Sequence, residues 1–308
     1  MTAPTAPSLA TLSAEALKKA GYTSTGSSQY TTLLNRAQTE WMEEVKNDLY
    51  MMEKQLVSLQ TTYVHVTAEG LSKYSLPTDY GINMSMSLLS GEDTGTFQAG
   101  STNTSWILDA AEDATESDLL GKEILVYSGT GINQLGQVTN YEATTQTATV
   151  TITSGSITTS PAAGDGYVII DNYYELTPMQ AWEYEAVSNQ KEPGVPNRFS
   201  ITGDADDGEF YLYPAPYRTS GVPWGIKQRY YADLQRVDLA STTMTTLYRR
   251  WRNLWVQGVK AKCWESQDDN RAGAALQLYG QLLNMVVNSE KYGVDAPADM
   301  EFAPQFRR

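Results

Sequence analysis

The sequence predicts an α+β fold in which helices from the two ends of the chain form a helical bundle core that holds an inserted all-β domain. Apolar residues recur at three- and four-residue spacing near both termini, as they do in amphipathic helices. The middle of the chain is rich in Thr, Ser and Gly and has short runs of alternating character, as in a small sandwich or barrel. Because neither helical segment can bury its apolar side alone, the two are expected to pack together around the insertion.

The N-terminal part combines an arm with a long helix. Residues 1–27 are predicted to be an arm with a short helix at 13–20, ended by Gly21. Residues 28–59 contain no Gly or Pro and are predicted to form one amphipathic helix. Its apolar positions are Leu34, Ala37, Trp41, Val45, Leu49, Met52, Leu56 and Leu59. This helix opens a discontinuous helical core with flanking strands, predicted to span residues 28–90 and 171–290.

Residues 91–170 are predicted to form the inserted β domain. Turn residues separate its alternating runs at intervals of about ten residues. These runs are 105–109, 123–128, 136–141 and 148–153, and two later runs at 210–213 and 225–231 flank the helical core. The stretch 91–170 has one cation, Lys122, and ten acids, so it carries −9 of the chain's net charge of −14. The inserted domain is therefore expected to be strongly acidic.

The C-terminal part returns to a helical pattern. Apolar residues recur from Thr243, and Asp268-Asp269-Asn270 can cap a second helix that follows. Residues 227–271 contain nine Lys and Arg against five Asp and Glu, a local net charge of +4. Residues 291–308 are punctuated by Pro and are predicted to be an extended C-terminal arm.

Composition excludes several classes of function. A single Cys, Cys263, cannot form an intramolecular disulfide, and a single His, His65, excludes a multi-histidine metal site. The net charge of −14 argues against a broad basic surface that grips DNA. The N-terminus has no secretory pattern and no apolar run could span a bilayer, so we expect a protein of a cytoplasm-like compartment and no membrane. We expect no catalytic residue, metal or cofactor, and interpret His65 and Cys263 as structural residues.

Two charged clusters are candidate functional sites. The densest acidic cluster has three interpretations: a solvated loop, a surface that lines or flanks a channel when repeated around a ring and keeps DNA from sticking, or a glycosidase pair. Its residues are Glu112, Asp113, Glu116 and Asp118. The basic cluster is interpreted either as a nucleic-acid patch or as a subunit interface that pairs with acids of a neighbouring copy. The candidate interface comprises Arg249, Arg250, Trp251, Arg252, Asp268 and Asp269.

The order of short motifs along the chain resembles the head-to-tail adaptor, or connector, proteins of tailed bacteriophages. An N-terminal helix is followed by a Leu-Pro-x-Asp-Tyr segment, a Trp-Glu pair, a Gly-x-Pro with a later aromatic, a Tyr-Pro-x-Pro, paired Tyr residues and a helix pair with an acidic turn. In this sequence these are Leu76-Pro77-Thr78-Asp79-Tyr80, Trp182-Glu183, Gly194-Val195-Pro196 with Phe199, Tyr213-Pro214-Ala215-Pro216, Tyr230-Tyr231 and Asp268-Asp269. Residues 128–150 are also similar to a small β module of phage structural proteins.

The resemblance implies a structural protein of the virion neck, between head and tail, that is synthesised in the host cytoplasm. Adaptors of this type form a homo-oligomeric ring, usually of twelve copies, that joins the portal protein to a tail or nozzle protein. The ring extends the channel through which genomic DNA passes without sequence-specific binding. Carried onto this sequence, the resemblance makes the C-terminal arm the candidate portal-binding segment, with Phe302, Phe306, Arg307 and Arg308. The β insertion becomes an outward or tail-facing contact.

An adhesin is the alternative interpretation. In that hypothesis the β domain of a phage or surface protein binds carbohydrate through exposed aromatic side chains. Residues 91–170 offer five such aromatics: Phe97, Trp106, Tyr127, Tyr141 and Tyr167. The hypothesis therefore predicts that they cluster on one exposed face.

Overall fold

The structure, a computed structural model, describes residues 9–23, 27–50, 60–109, 115–155, 158–188, 193–203, 207–218, 220–233 and 251–292. The chain divides into two units. Residues 1–60 and 231–308 form one, here called the helical unit, and residues 61–230 form the other, here called the β unit.

The helices confirm the helical patterns at both ends of the sequence. They are α1 (Leu9–Ala20), α2 (Ser28–Arg36), a π-helical segment (Ala37–Trp41), α3 (Met42–Tyr50), α4 (Glu116–Leu119), α5 (Ala181–Ser188), α6 (Arg252–Ser266) and α7 (Ala272–Tyr292). The helix predicted over 28–59 is thus present from 28 to 50 and includes a π-helical segment. Residues 51–59 and 243–250 of the predicted helices lie outside the described residues.

Fourteen strands are present in the described residues. They are β1 (Gln60–Val66), β2 (Lys73–Ser75), β3 (Tyr80–Ser90), β4 (Thr94–Thr96), β5 (Ser105–Ile107), β6 (Glu123–Val126), β7 (Leu135–Glu142), β8 (Thr147–Ser154), β9 (Gly166–Ile170), β10 (Asn172–Glu175), β11 (Thr177–Pro178), β12 (Arg198–Thr202), β13 (Glu209–Tyr213) and β14 (Gly225–Ala232). Sheet one has the order β1-β14-β3-β10, sheet two β11-β12-β13-β2, and sheet three β4-β9-β6-β7-β8-β5. All strand pairs of sheet three are antiparallel.

The predicted fold class, a helical bundle core with an inserted small β domain, is wrong. The protein is β-rich, and its three sheets account for most of its regular structure. The strands on either side of residues 91–170 are more than flanks of a helical core, because they build two four-stranded sheets with an apolar core of their own. Sheet three takes all its strands from residues 94–170, and treating 91–170 as a separate domain stays a prediction.

The helical unit has one continuous apolar core. Leu12 and Leu17 of α1, Val45 of α3, and Trp255 and Val259 of α6 are fully buried in it. α1 and α3 each turn one apolar side inward, whereas α6 is buried on most of its sides between Leu254 and Trp264. Cys263 is part of the same core, and burial raises the pKa of its thiol to about 11.

The β unit buries its side chains in three neighbouring clusters. Sheet three encloses Trp106, whose ring lies 5.5 Å from that of Phe97, with Tyr167 packed on Phe97. Sheets one and two share a second cluster of side chains that includes Met86, Phe210 and Leu212. A third cluster joins sheet three to sheet one through residues such as Leu125 and Leu89. All three sheets therefore pack into one unit.

Candidate functional site

The Leu-Pro-x-Asp-Tyr segment anchors sheet one. Leu76 and Tyr80 are buried with Tyr230 in one apolar cluster, and the hydroxyl of Tyr230 donates a 2.6 Å hydrogen bond to Asp79. Burial, reinforced by the Asp79 carboxylate, raises the pKa of Tyr230 above its usual value. Two motifs that are 150 residues apart in sequence thus meet, and their role in this chain is to hold the β unit together.

The Gly-x-Pro and Tyr-Pro-x-Pro segments also lie against each other. The amide of Gly194 donates to the carbonyl of Ala215 at 2.8 Å, and the amide of Tyr217 donates to the carbonyl of Gly194 at 3.0 Å. Phe199 is buried in the adjacent core, whereas Val195 is exposed. These motifs are therefore mainly scaffold.

The Trp-Glu pair lies in the first turn of α5, where Glu183 has a structural role and Trp182 is exposed. The carboxylate of Glu183 accepts a 2.8 Å hydrogen bond from the amide of Gln180, which satisfies a free donor at the helix start. Trp182 is 67% exposed, the largest exposure among the large apolar side chains that the structure describes. An exposed Trp on a helix is a candidate contact for another protein.

The acidic candidates are only partly described. Glu112 and Asp113 lie outside the described residues, and of Glu116 only the backbone, the first residue of α4, is described. Asp118 is exposed, and its carboxylate accepts hydrogen bonds from the amide of Thr115 at 2.8 Å and its hydroxyl at 2.6 Å. These bonds lower the pKa of Asp118. Asp118 thus stabilises the start of α4, and the channel or tail-facing role of the cluster stays a prediction.

The net charge of the chain lies entirely in the β unit. Residues 61–230 contain 7 Lys and Arg against 21 Asp and Glu, a net charge of −14, whereas the helical unit has 15 of each. The acidic surface thus extends beyond the predicted insertion, to carboxylates such as Glu69, Glu175 and Glu185. A surface of this sign repels the phosphates of DNA.

Glu123 is a structural acid of the β unit. Glu123 is buried and forms a 2.9 Å ion pair with Lys227, while the hydroxyl of Tyr173 donates to the same carboxylate at 2.8 Å. Burial and this carboxylate raise the pKa of Tyr173. Since Glu123 belongs to β6 and the other two to β14 and β10, this network joins sheet three to sheet one.

Asp165 fixes the loop between β6 and β7. Its carboxylate accepts from the amides of Thr130 at 2.9 Å and Ala162 at 2.8 Å. Gly129 in this loop has φ +85°, and a Cβ there would stand 1.8 Å from Asp165 Oδ1. Gly129-Thr130-Gly131 is thus part of the connection of the β6–β7 hairpin, and glycine is required where the carboxylate approaches.

The basic candidates make contacts within their own subunit. Arg249 and Arg250 lie outside the described residues, and Trp251 is buried in the helical core. Arg252 donates from Nε to Glu15 at 3.0 Å, and its Nη2 contacts the same carboxylate oxygen. Although burial raises it, the hydrogen bonds from Arg252 and Lys19 lower the pKa of Glu15. The structure thus brings α6 and α1 together here, and a subunit-interface role stays a prediction.

The two remaining interface candidates, Asp268 and Asp269, both lie in the acidic turn before α7 but differ in their contacts. Asp268 is exposed and has a positive φ of 49°. Asp269 accepts hydrogen bonds from the backbone and guanidinium of Arg271, and the side-chain bond is the main cause that lowers its pKa to about 2. The arm candidates Phe302, Phe306, Arg307 and Arg308 lie outside the described residues.

An exposed side of α7 is the surface that sequence reasoning missed. Residues 272–289 contain no charged side chain. The inward side holds Ala275, Tyr279 and Val286, and Tyr279 donates to Asp48 at 2.9 Å. The outward side has exposed residues at alternating spacings of four and three, the spacing of a coiled-coil seam. We call this the α7 seam; it comprises Ala274, Leu278, Gln281, Met285 and Asn288. The sequence does contain a signal for this surface, because residues 272–289 form a helical run of 18 residues without a charged side chain.

The described residues offer neither a metal site nor a membrane-spanning helix. They include no group of three or more His, Cys, Asp or Glu side chains that could hold a metal ion. Among them, no helix is both long and apolar enough to cross a membrane. His65 lies between the rings of Tyr63 and Phe210, and burial lowers its pKa to about 4. That burial agrees with a structural role for this residue.

The face required by the carbohydrate-binding hypothesis is not present in the described part of residues 91–170. Of the five aromatic residues that would form it, four are fully buried in the core of sheet three: Phe97, Trp106, Tyr141 and Tyr167. Tyr127 is partly buried. Buried rings cannot stack on a glycan, so the structure gives this alternative no support.

Comparison with known proteins places the chain in a phage family. A family model described as SU10 adaptor protein matches residues 102–301, about two thirds of the chain. No curated protein matches the sequence. The chain therefore belongs to the SU10 adaptor protein family. It is a bacteriophage adaptor, a structural component of the virion that contacts other head or tail proteins, in a family that is structural rather than catalytic.

Proposed function

We propose that this adaptor forms a ring of twelve copies in the neck of the virion. The ring joins the portal protein of the head to a tail or nozzle protein and extends the channel for the genome. The match to the adaptor family over residues 102–301 carries this proposal. The order of motifs quoted above points to the head-to-tail class, and two surface properties support it.

The first supporting property is the acidic β unit. Its net charge of −14 per copy would be multiplied in a ring. Acids that face a channel repel DNA phosphates, so the genome can slide past without being held. The same acids on an outer face would attract a basic tail protein.

The second supporting property is the α7 seam. Interface cores are depleted in charged residues relative to the rest of a protein surface, and this seam has none. Leu278 and Met285 on it are 40% and 38% exposed. Because the helical unit has as many cations as acids, neighbouring copies would not repel one another there. We assign the seam to the contact between adjacent copies of the ring.

The C-terminal arm is the proposed attachment to the portal. Residues 294–308 can be deleted without removing any residue of α7. We expect the truncated protein to fold and to show the circular dichroism spectrum of the full chain. It should fail to bind heads that carry a portal but no adaptor, as measured by co-sedimentation.

Two comparisons make this test decisive. The full-length chain is the positive control, and a chain with residues 1–8 deleted is a control for loss of a terminal segment. Normal attachment by the protein without residues 294–308 would refute the role of the arm.

A further inference from the structure

A small pocket in the β unit has two buried donors that no residue of the described chain satisfies. The pocket has a volume of about 260 Å³ and lies beside the loop before β14. Its walls include Arg218, Trp224, Tyr127 and Tyr217. Nη1 of Arg218 and Nε1 of Trp224 are both buried, and neither has a hydrogen-bond partner. A buried donor left unpaired costs free energy, so such a pair indicates a missing acceptor.

Arg218 is held in place by neutral groups. Its Nη2 donates to the carbonyl of Gly91 at 2.6 Å, and its guanidinium carbon lies 4.6 Å from the centre of the Trp224 ring. Within the described residues no carboxylate pairs with it, although the β unit has three acids for each cation. A guanidinium that is fixed by stacking and by one carbonyl keeps its charge and its remaining donors for another group.

Trp224 is positioned as firmly as Arg218. It is only 8% exposed, its amide donates to the Thr67 hydroxyl at 2.9 Å, and its carbonyl accepts from the Thr67 amide at 2.8 Å. The two donors belong to groups that stack on each other and line the same pocket, so an acceptor group with two oxygens matches them in number. A carboxylate has that geometry and gains a charge-assisted bond from Arg218.

We propose that this pocket binds a carboxylate carried by a segment of a partner protein. A volume of 260 Å³ is below the ~300–1,000 Å³ of typical small-molecule sites, and it suits one acidic side chain. Arg, Trp and Tyr are the residues most enriched at the energetic centres of protein interfaces, and here all three line one pocket. Tyr217 is 42% exposed, so it remains available to the same partner. This assignment is independent of ring formation.

Glu69 is the one acid of the pocket wall and sharpens the test. It is exposed and makes no ion pair with Arg218. A bound carboxylate would meet repulsion from Glu69, weakened by solvent. Replacement of Glu69 by Gln should therefore tighten binding of an anionic probe, whereas replacement of Arg218 by Gln should weaken it.

The experiment follows the indole resonance of Trp224 in the full-length protein. The resonance is identified by its loss in Trp224→Phe. The probe is glutamate blocked at both backbone ends, titrated to on the order of 10 mM at constant ionic strength, where a weak site is occupied. Blocked glutamine is the neutral control. Arg198→Gln removes an exposed charge from the same unit and is the matched control for Arg218→Gln.

We expect blocked glutamate, and not blocked glutamine, to shift the resonance. Arg218→Gln should weaken this binding at least tenfold, Glu69→Gln should tighten it, and Arg198→Gln should leave it unchanged. An unmoved resonance, an equal response to both probes, or unchanged binding by a folded Arg218→Gln protein would overturn the proposal. Arg218→Lys keeps the charge but loses the planar fork, and a loss of binding there supports the assigned geometry.

Discussion

Asp165 shows how one buried carboxylate of this acidic unit is used for structure. It accepts from the amide of Thr130 in the β6–β7 loop and from the amide of Ala162 in its own β8–β9 loop, so it ties the two loops together. Replacement by Ala leaves both donors without their acceptor at a partly buried site, so we expect a loss of about 1–2 kcal/mol of unfolding free energy. Denaturant titration measures it. Asp165→Asn, which retains an acceptor, should lose less.

The matched control for Asp165 is Glu92→Ala. Glu92 is exposed and lies close to β4 of the same sheet, so its removal should change the free energy of unfolding by less than about 0.5 kcal/mol. Equal losses in Asp165→Ala and Glu92→Ala would mean that Asp165 has no special role in the loop.

His65 should make the stability of the protein sensitive to mild acid. Burial lowers its folded-state pKa to about 4, below the value of about 6.5 expected in the unfolded chain. The unfolded state therefore binds more protons between these values, so stability falls as pH is lowered from about 6.5 towards 4. The full effect is about 3 kcal/mol.

A variant separates His65 from the carboxylates that titrate in the same range. His65→Phe keeps a ring between Tyr63 and Phe210 but cannot take up a proton. The difference in unfolding free energy between wild type and variant, measured at several pH values, should change in favour of the variant as pH falls. A constant difference between pH 7 and pH 4.5 would contradict the assignment.

At the scale of elements, the α7 seam makes the clearest prediction. Leu278 and Met285 are exposed in the subunit, so Leu278→Glu with Met285→Glu should leave its folding nearly unchanged. Charges within an interface core are costly, so the doubly substituted protein should assemble at least tenfold more weakly. Mass photometry of protein bound to its portal measures the copy number. Gln267→Glu, an exposed site off the seam, is the control.

The sequence was informative wherever an element repeats a clear period. The helices at both ends and the strands β5–β8, β13 and β14 lie close to the predicted runs. β3 was not predicted, although Ile82, Met84, Met86 and Leu88 alternate with polar residues along it. β9 is buried throughout, and such a strand shows no alternation.

The fold class was wrong because local patterns do not show which strands share a sheet. β1 and β14 are neighbours in sheet one although they are separated by most of the β unit in sequence. Local patterns also could not tell a core residue from an interface residue at Trp251. It has the spacing of a core residue, and it lies between two arginines. The pocket donors of Arg218 and Trp224 could not be found from sequence, since no motif spacing joins Arg218 to Gly91 or Trp224 to Thr67.

At the scale of the whole molecule, charge is divided between two units that differ in structure. The β unit carries −14 and uses buried acids such as Glu123 and Asp165 to join its own sheets and loops. The helical unit is neutral and presents an uncharged seam. The proposed ring would need lasting contacts between its copies and a surface that does not hold DNA, and this division of charge supplies a candidate for each.

Electron cryo-microscopy of the protein bound to the portal of its phage tests the central claim most directly. Our account predicts a closed ring, coaxial with the portal, with twelvefold rotational symmetry and with α7 of each copy against its neighbour. Single copies scattered on the portal, or a ring in which α7 faces solvent, would contradict it.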